Sequence, residues 1–345
     1  MRLLYKQEKY PIFQNRMYTS YADARACTTG DICLVENEET GLVYNAAFNP
    51  SLMVYDARYQ NEQAVSFMFK DHLTSVLDIV GRCMGMGTIV EVGCGKGHFM
   101  EMLLDRRFDA TGFDPAYEGD NPRIQKSYFD PNSATVADGL VLRHVLEHIQ
   151  NPFDFLQQLS QTNGGKGRIY IEVPCFDWIC DHCAWFDIFY EHVNYFRVSD
   201  FERMFGSVVE SGKLFGGQYM YIVAELATLR RPKAATRDRV NFPENFTDTI
   251  AKGSANSVVW GGASKGVIFS LLKERAGQPV QAVIDINPAK QGKYLPSTGL
   301  LVQTPGTVLS TLPIGSLICV MNSNYLDEIK QMSGNQFNCI PIDSP

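Results

Sequence analysis

Between residues 64 and 81 the apolar positions Val65, Phe69, Leu73, Val76, Leu77 and Val80 recur at helical spacing, which predicts a helix over Ala64–Gly81. Beyond it the pattern alternates. Apolar, β-branched runs predict strands at Thr88–Gly93, Ala110–Asp114, Ala137–Leu142 and Arg168–Val173, and amphipathic stretches predict helices from Gly97 to about Arg106 and from about Pro152 to Gln161. Strands that alternate with helices imply a mostly parallel sheet covered on both faces, since each crossover helix must bury its apolar stripe.

The flanks read differently. From Met1 to about His72, short apolar stretches broken by Gly30, Gly41 and Asn49-Pro50 predict turns and short strands. Leu214–Leu226 reads as a pair of late strands kinked at Gly216-Gly217, and the polar run Arg230–Arg239 reads as a linker with little to bury. A second β-α-β unit then follows: Ser257-Val-Val-Trp-Gly-Gly-Ala-Ser-Lys-Gly266 opens a helix at Val267–Lys273, and a strand spans Gln281–Ile286. An α/β chain of three parts is expected, with boundaries at 1–72, 73–230 and 231–345.

At 345 residues the chain is long enough for more than one core, and 45% hydrophobic with 20% charged residues is an ordinary globular composition. A net charge of −7 argues against a nucleic acid held through its phosphates. The charged segment Met1–Tyr10 lacks the apolar core of a secretion signal, and no apolar run reaches membrane-spanning length, so a cytoplasmic chain with no membrane partner is expected. Nine scattered cysteines suit reduced thiols better than a disulfide framework. Only Cys180-Asp-His-Cys183 has metal-ligand spacing, and two ligands fall short of the usual four, so neither zinc nor another metal is expected.

The run Thr88-Ile-Val-Glu-Val-Gly-Cys-Gly-Lys-Gly-His98 feeds a strand through a glycine turn into a helix. Such a turn lets the backbone approach a ligand and aims helix N–H groups at it. Glu91 precedes the first glycine by two positions, and the spacing E-x-G-x-G-x-G resembles motif I of class I S-adenosylmethionine (SAM)-dependent methyltransferases. That likeness implies cofactor contacts from Glu91, Gly93, Cys94, Gly95 and Gly97. Asp114, with Pro115 after it, ends the second strand, where an acid either accepts from ribose hydroxyls or caps the following turn. Leu142-Arg-His-Val-Leu-Glu-His-Ile149 is similar to the segment of these enzymes that lies under the cofactor, which places His144 either against the cofactor or in a structural hydrogen bond. Tyr59, Gln63 and Ser66 are expected either to cover the cofactor or to cap the entering helix.

The acceptor side is expected around Trp185-Phe-Asp-Ile-Phe-Tyr-Glu-His-Val-Asn-Tyr-Phe196, where aromatic residues surround Glu191 and His192. A dry aromatic pocket strengthens electrostatics around a histidine base, whereas the plainer reading is a helix end with core aromatics. Glu191-His192-x-x-Tyr195-Phe196, the segment Tyr55–Ser66, and Asp285-Ile-Asn-Pro-Ala-Lys-Gln-Gly-Lys-Tyr-Leu-Pro296 together resemble the three-part sugar C-methyltransferases. Those enzymes methylate keto-sugars attached to nucleoside diphosphates, with an N-terminal zinc lobe, a Rossmann-like methyltransferase domain and a C-terminal Rossmann-like domain. The resemblance implies His192 as base, assisted by Glu191, Tyr190 and Tyr195, and a nucleotide-sugar acceptor. Lys265 is then expected either at a substrate phosphate or in solvent, and Asn287 at the substrate. Two departures stand out: Cys27 and Cys33 replace the paired zinc sites, and Tyr190 stands where the fuller motif has histidine. O- or N-methylation of another glycan precursor or natural product, and a non-catalytic SAM- or nucleotide-binding protein, are the alternative readings.

Overall fold

The computed structural model describes residues 1–53, 66–133, 135–251 and 257–343, and is built around three sheets. The central one has seven strands, in the order Val208–Leu214, Tyr219–Glu225, Arg168–Pro174, Gly139–Arg143, Thr88–Val92, Asp109–Phe113 and Ile124–Gln125. Its neighbours run parallel except at Tyr219–Glu225, which is antiparallel to both strands beside it. This mixed α/β sheet is Rossmann-like. The chain leaves Thr88–Val92 for Asp109–Phe113 on one side and returns to Gly139–Arg143 on the other, so a crevice opens beyond the carboxyl ends of these strands, where open α/β sheets bind ligands.

The apolar stripe expected before this sheet forms the helix Phe67–Met84, burying Phe69, Leu73, Val76, Leu77 and Val80. It runs three residues past the expected end and stops at Gly85, whose φ of 69° ends the helical path and whose N–H bonds to the Gly81 carbonyl. The other expected helices appear as His98–Asp105 and Pro152–Thr162. The late strand pair is a hairpin that begins earlier than expected, at Val208, with its turn at Phe215–Gln218.

The N-terminal sheet orders Arg2–Pro11, Thr29–Glu36, Val43–Asn45 and Asn194–Tyr195, all antiparallel. Its last strand comes from the segment after the fifth strand of the central sheet. Residues 185–196, for which a helix end was one reading, therefore contain a short 3-10 turn at Trp185–Asp187 and then cross to the N-terminal sheet.

The five-stranded C-terminal sheet is wholly parallel, in the order Val302–Gln303, Ala282–Ile284, Val258–Trp260, Leu317–Val320 and Asn338–Pro341. Its own reversal of strand order lies between Val258–Trp260 and Leu317–Val320. The helix Ser264–Arg275 that follows the first strand is buried from Gly266 through Lys273, because it packs between this sheet and the Trp185 segment, with Phe269 stacked on Trp185. The stretch read as a linker with little to bury is held by partners: Asp238 pairs with Arg197 and Arg203, Arg231 lies over the Phe153 ring, and the Val240 amide just beyond it donates to Glu36. Its charges have partners on elements distant in sequence, which local composition cannot register. Among the described residues no helix is long and apolar enough to cross a membrane.

Candidate active site

The glycine turn follows Thr88–Val92 directly. Gly93, Gly95 and Gly97 all have positive φ, at 76°, 55° and 83°, and Gly97 caps the His98–Asp105 helix without a side-chain hydrogen bond. Two of the three also have a packing reason to be glycine. A Cβ at Gly93 would lie 2.5 Å from Val145 Cγ2 and one at Gly97 2.5 Å from Ile124 Cδ1, whereas one at Gly95 would meet nothing within 4 Å. Gly95 thus presents open backbone at the crevice. Its N–H donates to Asp114 Oδ2 at 2.8 Å while Asp114 Oδ1 takes the Ala116 amide, so this carboxylate both ties the turn to the second strand and caps its own loop. Pro115 is exposed, and Cys94 is buried beneath the turn with its thiol pKa pushed up by burial.

Glu91 is 2% exposed and its Oε2 has no partner. Burial pushes its pKa up to about 7, against the opposing pull of Arg143. Arg143 also stands 3.6 Å from Glu172, a fully buried carboxylate that contacts His72 and Tyr170 as well. Burial would raise the Glu172 pKa; Arg143, His144 and His72 outweigh it and hold the group well below the usual carboxylate range.

His144 opens the loop after Gly139–Arg143 with a φ of 53°, a conformation that costs a non-glycine residue energy and tends to occur where function holds it. Its ring lies 3.0 Å from Glu172 and 3.3 Å from Glu147. Burial opposes charge on this ring, but the two carboxylates prevail and push its pKa up to about 9, leaving an imidazolium at neutral pH. The next residue, Val145, packs on Gly93, so this loop lies between the glycine turn and a cavity of about 250 Å³.

That cavity is walled from both sides. His144, Glu147, His148, Pro174 and Tyr219 come from the central sheet's strand ends and the loops after them, while Trp260–Gly261, Asp285–Asn287 and Met321–Asn322 come from the C-terminal strand ends. Strand ends of both sheets therefore open onto one space, whereas Glu91, Gly93, Cys94, Gly95, Gly97 and Asp114 are not among its lining residues. Phe189, Glu191 and His192 close it laterally, with Gln14 and Asn15 from the N-terminal segment and Ser66 from the start of the Phe67–Met84 helix.

His192 sits edge-on to Phe189 and His148, with ring centroids 4.9 and 5.0 Å away, and its Nδ1 has no partner. Burial, aided by His148, pushes its pKa down to about 3, so the ring is neutral with a lone pair available. Glu191 accepts the Gln14 amide at 2.8 Å through its side chain and the His148 Nδ1–H at 2.9 Å through its carbonyl. The two tyrosines stand behind the wall. Tyr190 OH accepts the Asn49 amide, and Tyr195 OH bonds to both the amide and the carbonyl of Phe189. Of the expected cofactor cover, Ser66 lines the cavity and donates to Glu328 Oε2; Tyr59 and Gln63 lie outside the described residues.

On the C-terminal side Lys265 is not a solvent-exposed cation. Its Nζ pairs with Asp187 at 3.1 Å, donates to Gln218 at 2.7 Å and lies over the Trp178 ring, clasping the two halves of the cavity together. Asn287 accepts the Ala289 amide, and its buried Nδ2 is unpartnered. Lys290 is 4% exposed, and burial lowers its pKa against the pull of Asp285. The Ser264–Arg275 helix begins at the cavity with no side-chain cap, leaving first-turn N–H groups for an anion. Glu147, read from the sequence as able to face the ligand beside His144, and His148, read as structural, both line the cavity, and Asp187 and Lys290 join it without having been singled out beforehand. The first two belong to the His144–Ile149 segment, which does carry a signal; the Asp187–Lys265 pair spans 78 positions of sequence and has none.

Residues 54–208 match a family model described as a methyltransferase domain. Solved structures similar to the chain include the 1,6-didemethyltoxoflavin-N1-methyltransferase of Burkholderia thailandensis with 1,6-didemethyltoxoflavin and S-adenosylhomocysteine, at 11% identity and TM-score 0.36 over 53% of this chain and 95% of that one. A SAM-dependent methyltransferase from Archaeoglobus fulgidus aligns at 16% identity and TM-score 0.33, over 46% and 100% of the respective chains. The cyclopropane synthase MmaA2 of Mycobacterium tuberculosis aligns at 14% and 0.35, over 49% and 72%. No curated protein matches the chain.

Proposed function

We propose, from the match of residues 54–208 to a methyltransferase-domain model, that the chain is a SAM-dependent methyltransferase acting on a small molecule held in the shared cavity, a nucleotide-linked sugar methylated at carbon through an enolate. The observation that carries this reading is a single cavity lined by strand ends of the central and the C-terminal sheet, with the neutral ring of His192 in its wall. One side belongs to the methyltransferase half and the other presents groups suited to a nucleotide: an uncapped helix N-terminus at Ala263–Gly266, the free donor of Asn287 and the buried cation of Lys290. Lys265 is neutralised by Asp187, so it acts in this reading by shaping the substrate wall. The chain divides in this reading at 1–72, 73–230 and 231–345. Nine free cysteines suit a reducing cytoplasm.

SAM, when bound, supplies a methyl group already activated on a sulfonium. Glu91, Gly93, Cys94, Gly95, Gly97 and Asp114 would hold it, and two observations fit that assignment: the open face of Gly95 and the unpartnered buried oxygen of Glu91. His144 and Ser66 would stand at the junction of cofactor and acceptor. His192 takes the proton from the carbon beside the acceptor carbonyl. A positioned base of this kind contributes roughly 10²–10⁴-fold. Glu191 positions it indirectly, by anchoring His148 and the N-terminal segment at Gln14, and Tyr195 by holding Phe189 against the ring. Tyr190 fixes the same loop from behind through Asn49.

The test is transfer of an isotope-labelled methyl group from SAM into a panel of nucleotide-linked keto-sugars, with the position of label read by mass spectrometry and NMR. Label on a sugar carbon supports the reading. Label on oxygen or nitrogen, or only on acceptors lacking a nucleotide, replaces it with the corresponding alternative. Binding of SAM without transfer to any acceptor points to a non-catalytic protein.

A further inference from the structure

The wall of the cavity contains a second chemistry. Glu147, His148 and His192 each offer one ligand atom, and these atoms all lie within 4.8 Å of one another. Glu147 is 1% exposed; its Oε1 is occupied by His144, while its Oε2 is buried without a partner. His148 donates Nδ1–H to the Glu191 carbonyl, which fixes the tautomer with the lone pair on Nε2, the second-shell arrangement that orients metal-ligating histidines. His192 has a buried Nδ1 with no partner. All three residues line the cavity, so a bound ion would keep an open position toward it.

We propose that Glu147, His148 and His192 form a site for a divalent transition-metal ion of the zinc and cobalt type, and that its occupation is a brake on the enzyme. Two imidazoles and one carboxylate favour such ions over magnesium or calcium, which prefer all-oxygen shells. The site is separate from the Cys180–Cys183 pair, on which the sequence expectation about metals rested. An ion coordinated by His192 uses the lone pair that proton uptake requires, so metal binding and base function exclude each other on this ring. The inhibitory half of the proposal rests on His192 being the base; the binding half does not.

The full-length protein, stripped with a chelator, is titrated with Co²⁺ and followed by its visible absorption, then challenged with Zn²⁺. One ion per chain is expected, without the thiolate charge-transfer band of cysteine ligation. Its Kd should rise about tenfold or more in Glu147→Gln and in His148→Gln, and stay unchanged in Cys180→Ser/Cys183→Ser. Circular dichroism melting identifies any variant that fails to fold, and the other ligand variant then decides. A missing cobalt spectrum, a thiolate band, or undiminished affinity in folded ligand variants overturns the site. In turnover assays Zn²⁺ should inhibit the wild type and lose potency by a similar factor in His148→Gln. Binding at these ligands with no loss of wild-type turnover overturns the brake and, with it, the base assignment, while leaving the methyl-transfer assay to judge the overall function.

Discussion

If Glu91 holds SAM as proposed, cofactor binding is expected to be coupled to a proton. Its carboxyl is 2% exposed, and burial pushes its pKa from an ordinary 4.5 to about 7. Holding it ionised in the fold therefore costs about 3 kcal/mol at pH well above 7, relative to the unfolded chain. Between pH 4.5 and about 7 the folded state binds more protons than the unfolded one, so this group's contribution makes stability fall as pH rises through that window and level off above it. A cationic ligand placed beside Glu91 reverses the preference and favours the carboxylate. SAM should therefore bind with release of about half a proton at pH 7 and nearly one at pH 6, and its affinity should be about tenfold weaker at pH 6 than at pH 8. Isothermal titration calorimetry in two buffers of different ionisation enthalpy measures both quantities. Glu91→Gln should bind SAM more weakly and with this pH dependence removed. Wild-type affinity that is constant across pH 6–8, or a slope that survives in Glu91→Gln, would refute the reasoning.

Other expectations follow from neighbouring geometry. His192→Ala should keep SAM affinity and lose roughly 10²–10⁴ in turnover; near-normal turnover with the true acceptor rejects the base. Gly95→Ala should cost about 1–2 kcal/mol of stability from its positive φ, but a larger share of SAM affinity, whereas Gly93→Ala should cost more stability because its Cβ meets Val145; paired melting and SAM titrations separate them, and equal stability losses would contradict the packing argument. Lys265→Met leaves the buried Asp187 unpaired and should destabilise by about 3–5 kcal/mol. Adding Asp187→Leu should recover part of that loss in urea denaturation, and strict additivity of the two changes would show that the pair is not coupled.

Much of the central sheet was legible in the chain because its signals are local. The β-branched run before Gly93 and the alternating elements to Arg168–Pro174 carry their periodicity within a few residues, and each appears within a few positions of its expected place. Of the two alternatives for Asp114, ribose contact or turn cap, the cap is present through Ala116, while its tie to the glycine turn through Gly95 had no signal in the sequence. What could not be read is what depends on distant partners. The two-residue strand Asn194–Tyr195 has no period to detect and exists because Val43–Asn45 receives it. The charges of the Arg230–Arg239 stretch look solvated until Arg197 and Arg203 are brought to Asp238. Tyr190 and Tyr195 have the composition of an acceptor pocket, yet their hydroxyls are taken by backbone groups that only the folded loop supplies.

The clasp of Lys265 on Asp187 and Gln218 bears on how the acceptor range of such an enzyme can change. The pair joins an element of the C-terminal half to two elements of the central half, one in the segment that also carries His192. Exchanging the C-terminal half for a foreign one would strand a carboxylate in a dry wall unless the donor supplied a cation at the same spot. Modular recombination is thus penalised at the seam, and single substitutions around Asn287 and Lys290, which leave the clasp intact, are the expected route to new acceptors under the proposed function.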